Sequence, residues 1–378
     1  MKKILSILSF LIIFNTISAN NLPEISLLTC SSGEELYASF GHSGLRVQYP
    51  DGEDIVYNFG MFDFDTPNFY LKFVMGKLKY MLGIQETDEF IEIYKYENRS
   101  VFEQKLILTE TQTWDILNRL NYLYKPENRY YYYSFLYKNC TTELRDIIFT
   151  YAGIDTVFFQ EKAGITYRGL LNQYINGWAK FGINLMLGSS LDKEVDKFQM
   201  MFLPDYLYNE LEKIDSSSNI ISKCEILTLA ESKGKDSFLQ KISSPNVVFL
   251  LLLIIFLALT YKKRAFYFTL FIYFLIGIIG LIIVTTSLFS DHTELHWNCN
   301  LLWCNPLYLL LAIAGASKWK KVTKVTSVIL FASLILVVVL WIFGVQYVEL
   351  AFVWLAYLLL ISLLTLLRKE VKSFRFHW

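Results

Sequence analysis

The sequence predicts a chain in two parts: an α+β globular domain, then an all-α polytopic membrane domain of about five helices. Composition is the first observation behind this. Hydrophobic residues make up 54% of the 378 and the mean hydropathy is +0.35, which is the balance of a membrane protein. The second is that the apolar content is uneven. From Asn20 to about Pro204 the chain mixes polar and aromatic residues, whereas after Pro245 it is almost continuously apolar. Third, the stretch between them, KIDSSSNIISKCEILTLAESKGKDSFLQKISSP (213–245), turns polar and reads as a linker or stalk.

The N-terminus, MKKILSILSFLIIFNTISAN, has Lys2 and Lys3, an apolar run from Ile4 to Phe14 and small residues before Asn20. That is the layout of a signal peptide over residues 1–19, cut after Ala19. The run is short for a membrane span. Cys30 does not suit a lipobox, because Thr29 precedes it and a polar gap separates it from the apolar run. The expected organisation is therefore a catalytic domain over 20–212, the linker over 213–245 and a membrane domain over 246–378.

Five apolar runs are long enough to consider as spans: about 246–261, 265–289, 301–317, 325–344 and 349–367. YKKR (261–264), SKWKK (317–321) and RKEVKSFR (368–375) carry Lys and Arg, whereas DHTELHWNCN (291–300) and VQYVE (345–349) carry neither. Basic loops therefore alternate with loops that lack them. This places the C-terminus in the cytoplasm and the N-terminal domain in the periplasm of a bacterial inner membrane. With 35 basic against 35 acidic residues, no charge excess points to nucleic acid. Five cysteines cannot all pair, and their spacing resembles no structural zinc site.

Within the N-terminal domain, strands are expected at ISLLTC (25–30), HSGLRVQY (42–49), after the loop SSGEELYASFG, and IVYNFGMF (55–62), after a PDGED turn. TPNFYLKFVMGK (66–77) suits a short helix with Pro67 near its start. Strand-like stretches follow near 78–85 and 101–108. TETQTWDILNRLNYLY (109–124) carries Trp114, Leu117, Leu120 and Leu123 as a helical stripe. After the extended YYYYSFLY comes a helix whose Leu144, Ile147, Ile148 and Tyr151 fall at i, i+3, i+4 and i+7, with Gly153 to end it.

Asn139 is a suitable N-cap for that helix, which puts Cys140 at its first position. Unpaired N–H groups and the positive end of the helix dipole favour the thiolate there. Only one of the chain's four histidines, His42, lies in this domain, at the start of a strand in FGHSGLRV. A helix N-terminus bearing Cys against a strand bearing His is the papain-type arrangement, in which imidazole holds or accepts the thiol proton. His precedes Cys here, the reverse of papain, so the layout must be circularly permuted. Alternation along the next strand makes Asn58 the choice for an orienting third group, with Tyr57 on the opposite face. Asp63 and Asp65 are alternatives better suited to the turn. The Cys140 backbone N–H would serve as one oxyanion donor.

The stretches ISLLTCSSGEELYASFGHSGLRV, VYNFGMFDFDTPNFYLKFVMGKLKY, KPENRYYYYSFLYKNCTTELRDI and MFLPDYL (201–207) resemble the Lnb N-terminal periplasmic domain. HWNCNLLWCNPLYLLLA resembles the membrane region of the same family. That resemblance implies a lipoprotein N-acyltransferase, with Cys140 in KNCTT as nucleophile and His42 in FGHS as its base. It also implies a permuted NlpC-type papain-like fold, the layout that lecithin:retinol acyltransferase uses for acyl transfer from phospholipid. A phospholipid would be the acyl donor, a diacylated lipoprotein the acceptor, and membrane lipids the surroundings. No metal or other cofactor is required.

The loop DHTELHWNCNLLWCNP is rich in His, Trp and Asn. Its aromatics suit an interface anchor, and His292, His296 or Asn298 are candidates for binding a headgroup. Two rival functions share some of these features. A membrane-tethered NlpC-type cysteine peptidase or amidase would use the same Cys–His pair, and an envelope scaffold would bury Cys140 as core.

Overall fold

The computed structural model describes residues 22–218, 220–231 and 242–375. The expected signal peptide, and residues 232–241 of the expected linker, lie outside the described residues. The chain divides into two compact units, each assembled from segments far apart in sequence. The first takes residues up to Phe64, Lys79–Gln160 and Phe198–Glu231; the second takes Asp65–Leu78, Glu161–Lys197 and the chain from Ser232 onward.

The strands are β1 (Glu24–Cys30), β2 (His42–Gln48), β3 (Asp54–Met61), β4 (Lys79–Glu86), β5 (Val101–Leu106), β6 (Tyr130–Tyr132), β7 (Lys162–Thr166), β8 (Glu194–Asp196) and β9 (Ile221–Thr228). Seven of them form the antiparallel sheet of the first unit, in the order β6-β4-β3-β2-β1-β5-β9. In β1 every residue after Glu24 is buried. Unbroken burial requires cover on both faces, and alternation divides the side chains between them. On one face Leu27, Leu45, Tyr57 and Leu82 pack with Ile116, Leu120, Leu144 and Ile148 from the helices Glu110–Tyr124 and Cys140–Ala152. On the other, Leu28, Cys30 and Val56 meet Phe90 and Tyr94 of the helix Thr87–Tyr96. Each large apolar side chain fully buried in this way contributes roughly 1.5–3 kcal/mol.

Three features differ from what the sequence suggested. In the helix Glu110–Tyr124 the buried stripe is Thr113, Ile116, Leu117 and Leu120, while Trp114 is 44% exposed. Smaller residues one turn apart already fill the interface, so the indole turns outward. The helix Thr87–Tyr96 was not foreseen, because only Thr87, Phe90 and Tyr94 face inward and charged residues surround them. Finally, residues 221–228 inside the polar stretch form β9, which pairs with β5 from Leu106↔Ile221 to Val101↔Thr228. Among its described side chains only Ile221 is buried, so this edge strand shows almost no apolar signal.

Among the described residues of the second unit, four stretches are long and apolar enough to cross a membrane: Phe266–Phe289, Thr293–Ala316, Lys320–Ile342 and Leu350–Arg368. The first expected span, Pro245–Tyr261, is apolar but only 17 residues long, short of the ~20 that a perpendicular crossing needs. Tight helix contact depends on two glycines. A Cβ on Gly277 would lie 2.5 Å from Leu309 N, and one on Gly280 would lie 2.4 Å from Cys304 O. Small residues of this kind let apolar helices approach backbone to backbone. Tyr273 and Ser362 add a buried hydroxyl–hydroxyl bond of 2.7 Å between helices.

The 161–197 segment is tied into this unit by Arg168, which is 1% exposed. Its guanidinium donates to both Asp192 oxygens, to Asn184 Oδ1 and to Gly188 O, at 2.7–3.0 Å. Such a fork-shaped, fully used donor set is what makes a buried charge tolerable. The helix Gly177–Met186 then packs Phe181 against Phe249 and Phe352.

Candidate active site

Cys140 is the first residue of its helix, and Asn139 fixes that start. The Asn139 Oδ1 accepts from Thr141 N at 2.9 Å and Thr142 N at 2.8 Å, while its Nδ2 donates to the carbonyls of Phe135 and Phe202 at 2.8 and 2.9 Å. The backbone N–H of Asn139 donates to Thr142 Oγ1 at 2.8 Å, closing a capping box. A buried amide with both its ends used leaves the helix no alternative register. At the other end Gly153 takes the left-handed conformation, φ +73°.

His42 opens β2 directly after Gly41, whose φ is +79°. A Cβ on Gly41 would fall 2.8 Å from the Cys30 carbonyl oxygen, so glycine is required here for both its conformation and its size. The half-buried imidazole lies against the rings of Tyr94 and Phe90, with centroids at 6.3 and 6.4 Å. Its Nε2 is 2.7 Å from Asn58 Oδ1 on β3. Asn58 in turn donates from Nδ2 to Gln85 Oε1 on β4 at 2.7 Å, which sets the orientation of its amide. Since Oδ1 can only accept, Nε2 carries a proton and Nδ1 is the nitrogen left for the thiol.

His42 and Cys140 perturb one another electrostatically. Burial by itself would push the Cys140 thiol up. The neighbouring imidazolium outweighs it, with further help from hydrogen bonds to His42, the Ser43 backbone and the Thr141 hydroxyl, and the thiol is brought down to about 7. Burial likewise opposes charge on His42, but the thiolate and the bond to Asn58 raise it above the usual imidazole value. The thiol and imidazole titrate as a coupled pair, with the charged form of each favouring that of the other. Ser43 Oγ lies 3.1 Å from Thr141 Oγ1, bridging β2 to the first turn of the helix. Where the site crosses β3, Gly60 adopts φ +86° at a break in the β3–β4 register, 3.6 Å from the Cys140 Cβ once a Cβ is built on it.

Cys140, His42 and Asn58 thus come together in the first unit. Asp63 and Asp65 follow β3, both exposed, and the partner of His42 is the amide of Asn58. Cys30 pairs with His42 across the sheet, yet its thiol is wholly buried and burial holds it far above the ordinary range. It keeps its proton. All five cysteines are free.

His292, His296 and Asn298 belong to the second unit, where each is engaged by backbone. The His292 Nε2 donates to Phe73 O at 2.9 Å and the His296 Nε2 to Ser290 O at 3.2 Å. Asn298 Nδ2 donates to Leu185 O and Met186 O at 2.8 and 2.9 Å. No local pattern in the sequence singles out Gln85, Thr141 or Tyr131. Tyr131 is half-buried, with its hydroxyl shielded from solvent beside the Gly60 backbone N–H and without a hydrogen-bond partner among the described residues. Burial, followed by the negative charge of Cys140, pushes that hydroxyl well above the usual phenol range.

The fold and this cluster define a membrane protein with an α/β unit that holds a cysteine, a histidine and an asparagine, followed by a helical region with four candidate spans. The Lnb N-terminal periplasmic domain matches residues 14–173 and the Lnb transmembrane domain matches residues 237–373. The chain belongs to the Lnb family. These domains indicate a lipoprotein-modifying membrane enzyme that works among lipid and lipoprotein partners. Comparison with curated proteins and with solved structures finds no match.

Proposed function

We propose that the protein is a lipoprotein N-acyltransferase. It moves a fatty acyl chain from a phospholipid, through a Cys140 thioester, to the α-amine of a diacylglyceryl-cysteine lipoprotein. The observation that carries this reading is the buried Cys140 thiol at a capped helix N-terminus, lowered to about 7 by a His42 that Asn58 orients. The N-terminal unit is then a catalytic domain of permuted papain-like type on the periplasmic face of the inner membrane. The basic loops and the C-terminus lie in the cytoplasm, as the distribution of Lys and Arg supports.

In the first half-reaction the Cys140 thiolate attacks the ester carbonyl of the phospholipid. The oxyanion is met by the Cys140 backbone N–H and by the Tyr131 hydroxyl, whose proton has no acceptor among the described residues. The C–O bond breaks, His42 gives its proton to the departing lysophospholipid oxygen, and a thioester remains. In the second half the lipoprotein amine attacks that thioester and His42 takes the amine proton. The C–S bond breaks, regenerating the thiolate–imidazolium pair. A thioester suits this scheme because amines attack it far more readily than water does. A site anchored to the bilayer that holds both substrates also meets them at high effective concentration.

Intact mass of the purified full chain, after incubation with phospholipid and before and after neutral hydroxylamine, tests the reading. The expected result is a fatty-acyl increment that hydroxylamine removes and that Cys140→Ser lacks. An unmodified wild-type mass together with cleavage of cell-wall peptides would replace the proposal with a peptidase. No adduct and no cleavage would leave a scaffold.

A further inference from the structure

The segment Asp65–Leu78 belongs to the second unit, and its short helix Phe69–Val74 buries none of its residues. Tyr70, Leu71, Phe73 and Val74 are 78%, 64%, 47% and 40% exposed. Four large apolar groups in one turn and a half of helix make a contiguous patch that water alone does not favour.

What this helix is fastened to identifies the occupant of the patch. The apolar helix Phe266–Phe289, one of the candidate spans, ends at Ser290. From there Ser290 Oγ donates to Val74 O at 2.8 Å, Asp291 N to Met75 O at 3.0 Å, and His292 Nε2 to Phe73 O at 2.9 Å. Gly76, at φ +70°, allows the close approach: a Cβ there would stand 3.1 Å from Asp291 Cβ and 3.2 Å from His292 N. The helix is therefore bonded to the residues that immediately follow a membrane span. Leu288 and Phe289 at the end of that span are 70% and 63% exposed, and Trp297 in the loop that follows is 82% exposed. Residues 66–77 contain no acidic side chain, and they include Lys72 and Lys77.

We infer that the helix Phe69–Val74 is an interfacial foot: its apolar side chains lie at the headgroup–acyl boundary of the bilayer, with Lys72 and Lys77 among the lipid phosphates. The backbone bonds from His292 and Ser290 hold the foot at that depth. The inference rests on the membrane domain and is independent of the thioester chemistry.

The test is depth measurement on the full chain in nanodiscs of phosphatidylethanolamine and phosphatidylglycerol. Spin labels are placed by Tyr70→Cys or Leu71→Cys, with Cys224, Cys299 and the reactive Cys140 replaced by Ser. Labels at Ile329→Cys on the span Lys320–Ile342, and at the exposed Asp88→Cys, give lipid and aqueous references. The expected result at positions 70 and 71 is several-fold greater accessibility to oxygen than to a nickel chelate, as at 329. The ratio seen at 88 would overturn the proposal. Dipolar broadening between labels on two copies would also overturn it, in favour of a self-association surface. Because Cys140→Ser removes the thioester nucleophile from every labelled variant, insertion of the foot is read apart from the question of whether Cys140 forms a thioester.

Discussion

Nε2 of His42 stands 2.7 Å from Oδ1 of Asn58 on the neighbouring strand, and Gln85 holds the far end of that amide at another 2.7 Å. The imidazole is thus locked in one tautomer and one plane, which leaves Nδ1 as the nitrogen available to the thiol. Asn58→Ala removes the lock and leaves Cys140 in place. Thioester formation should slow by about 10- to 100-fold, the scale of losing a group that orients a functional imidazole. Gln85→Ala should show a smaller loss in the same direction. Single-turnover acylation followed by mass checks both.

The depressed Cys140 thiol has a direct readout. Alkylation by iodoacetamide, followed on the Cys140 peptide, should rise with pH around a midpoint of about 7. In His42→Ala the attraction that outweighs burial is gone, so burial acts unopposed and the midpoint must move upward, past that of an ordinary thiol. A midpoint unchanged in His42→Ala would mean that the imidazole does not set the thiol.

Tyr131→Phe tests the second oxyanion donor while keeping the ring that packs edge-on against Phe59. Loss of one such donor typically costs about 100-fold or more in rate. Thioester formation should therefore fall on that scale, with the alkylation midpoint of Cys140 nearly unmoved. A parallel loss of alkylation would assign Tyr131 to packing instead.

Much of this arrangement is a local property of the chain and was readable from it. Asn139 next to Cys140, the i, i+3, i+4 run through Ile148, and the left-handed Gly153 all lie within fifteen residues. Alternation along β3 puts Tyr57 in the core, bonded to Asn121, and turns Asn58 the other way. The apolar runs of the second unit declare themselves by length alone. Gln85 and Tyr131 were not legible, because they reach the site only through the β3–β4 and β4–β6 registers, which no local pattern encodes. β9 was hidden for the same reason: its partner among the described residues, β5, lies more than a hundred residues away. His292 was legible as unusual, but its bond to Phe73 depends on a contact across more than two hundred residues.

Asn139→Ala should destabilise the chain strongly for a single polar substitution. The lost cap contributes about 1 kcal/mol, and the buried carbonyls of Phe135 and Phe202 each lose a donor, costing roughly 1–3 kcal/mol each. Asn139→Asp keeps the acceptor for Thr141 and Thr142 but loses the two donated bonds, so it should fall between Ala and wild type. Apparent unfolding midpoints in detergent should follow the order wild type, Asp, Ala.

The two glycines Gly41 and Gly52 separate conformational strain from steric contact. Both have positive φ, +79° and +100°, so an alanine at either site pays for a left-handed backbone, about 1–2 kcal/mol. At Gly52 a Cβ meets nothing within 4 Å, and the cost stops there. At Gly41 it would press on the Cys30 carbonyl at 2.8 Å and on Pro204 at 3.2 Å, and the strand that must shift begins with His42. Gly52→Ala should lower the unfolding midpoint slightly and leave acylation intact. Gly41→Ala should lower the midpoint further and also slow thioester formation, because His42 moves with the backbone. If the two variants lose activity equally, Gly41 matters for folding alone and the close approach of β2 to Cys30 does not position the imidazole.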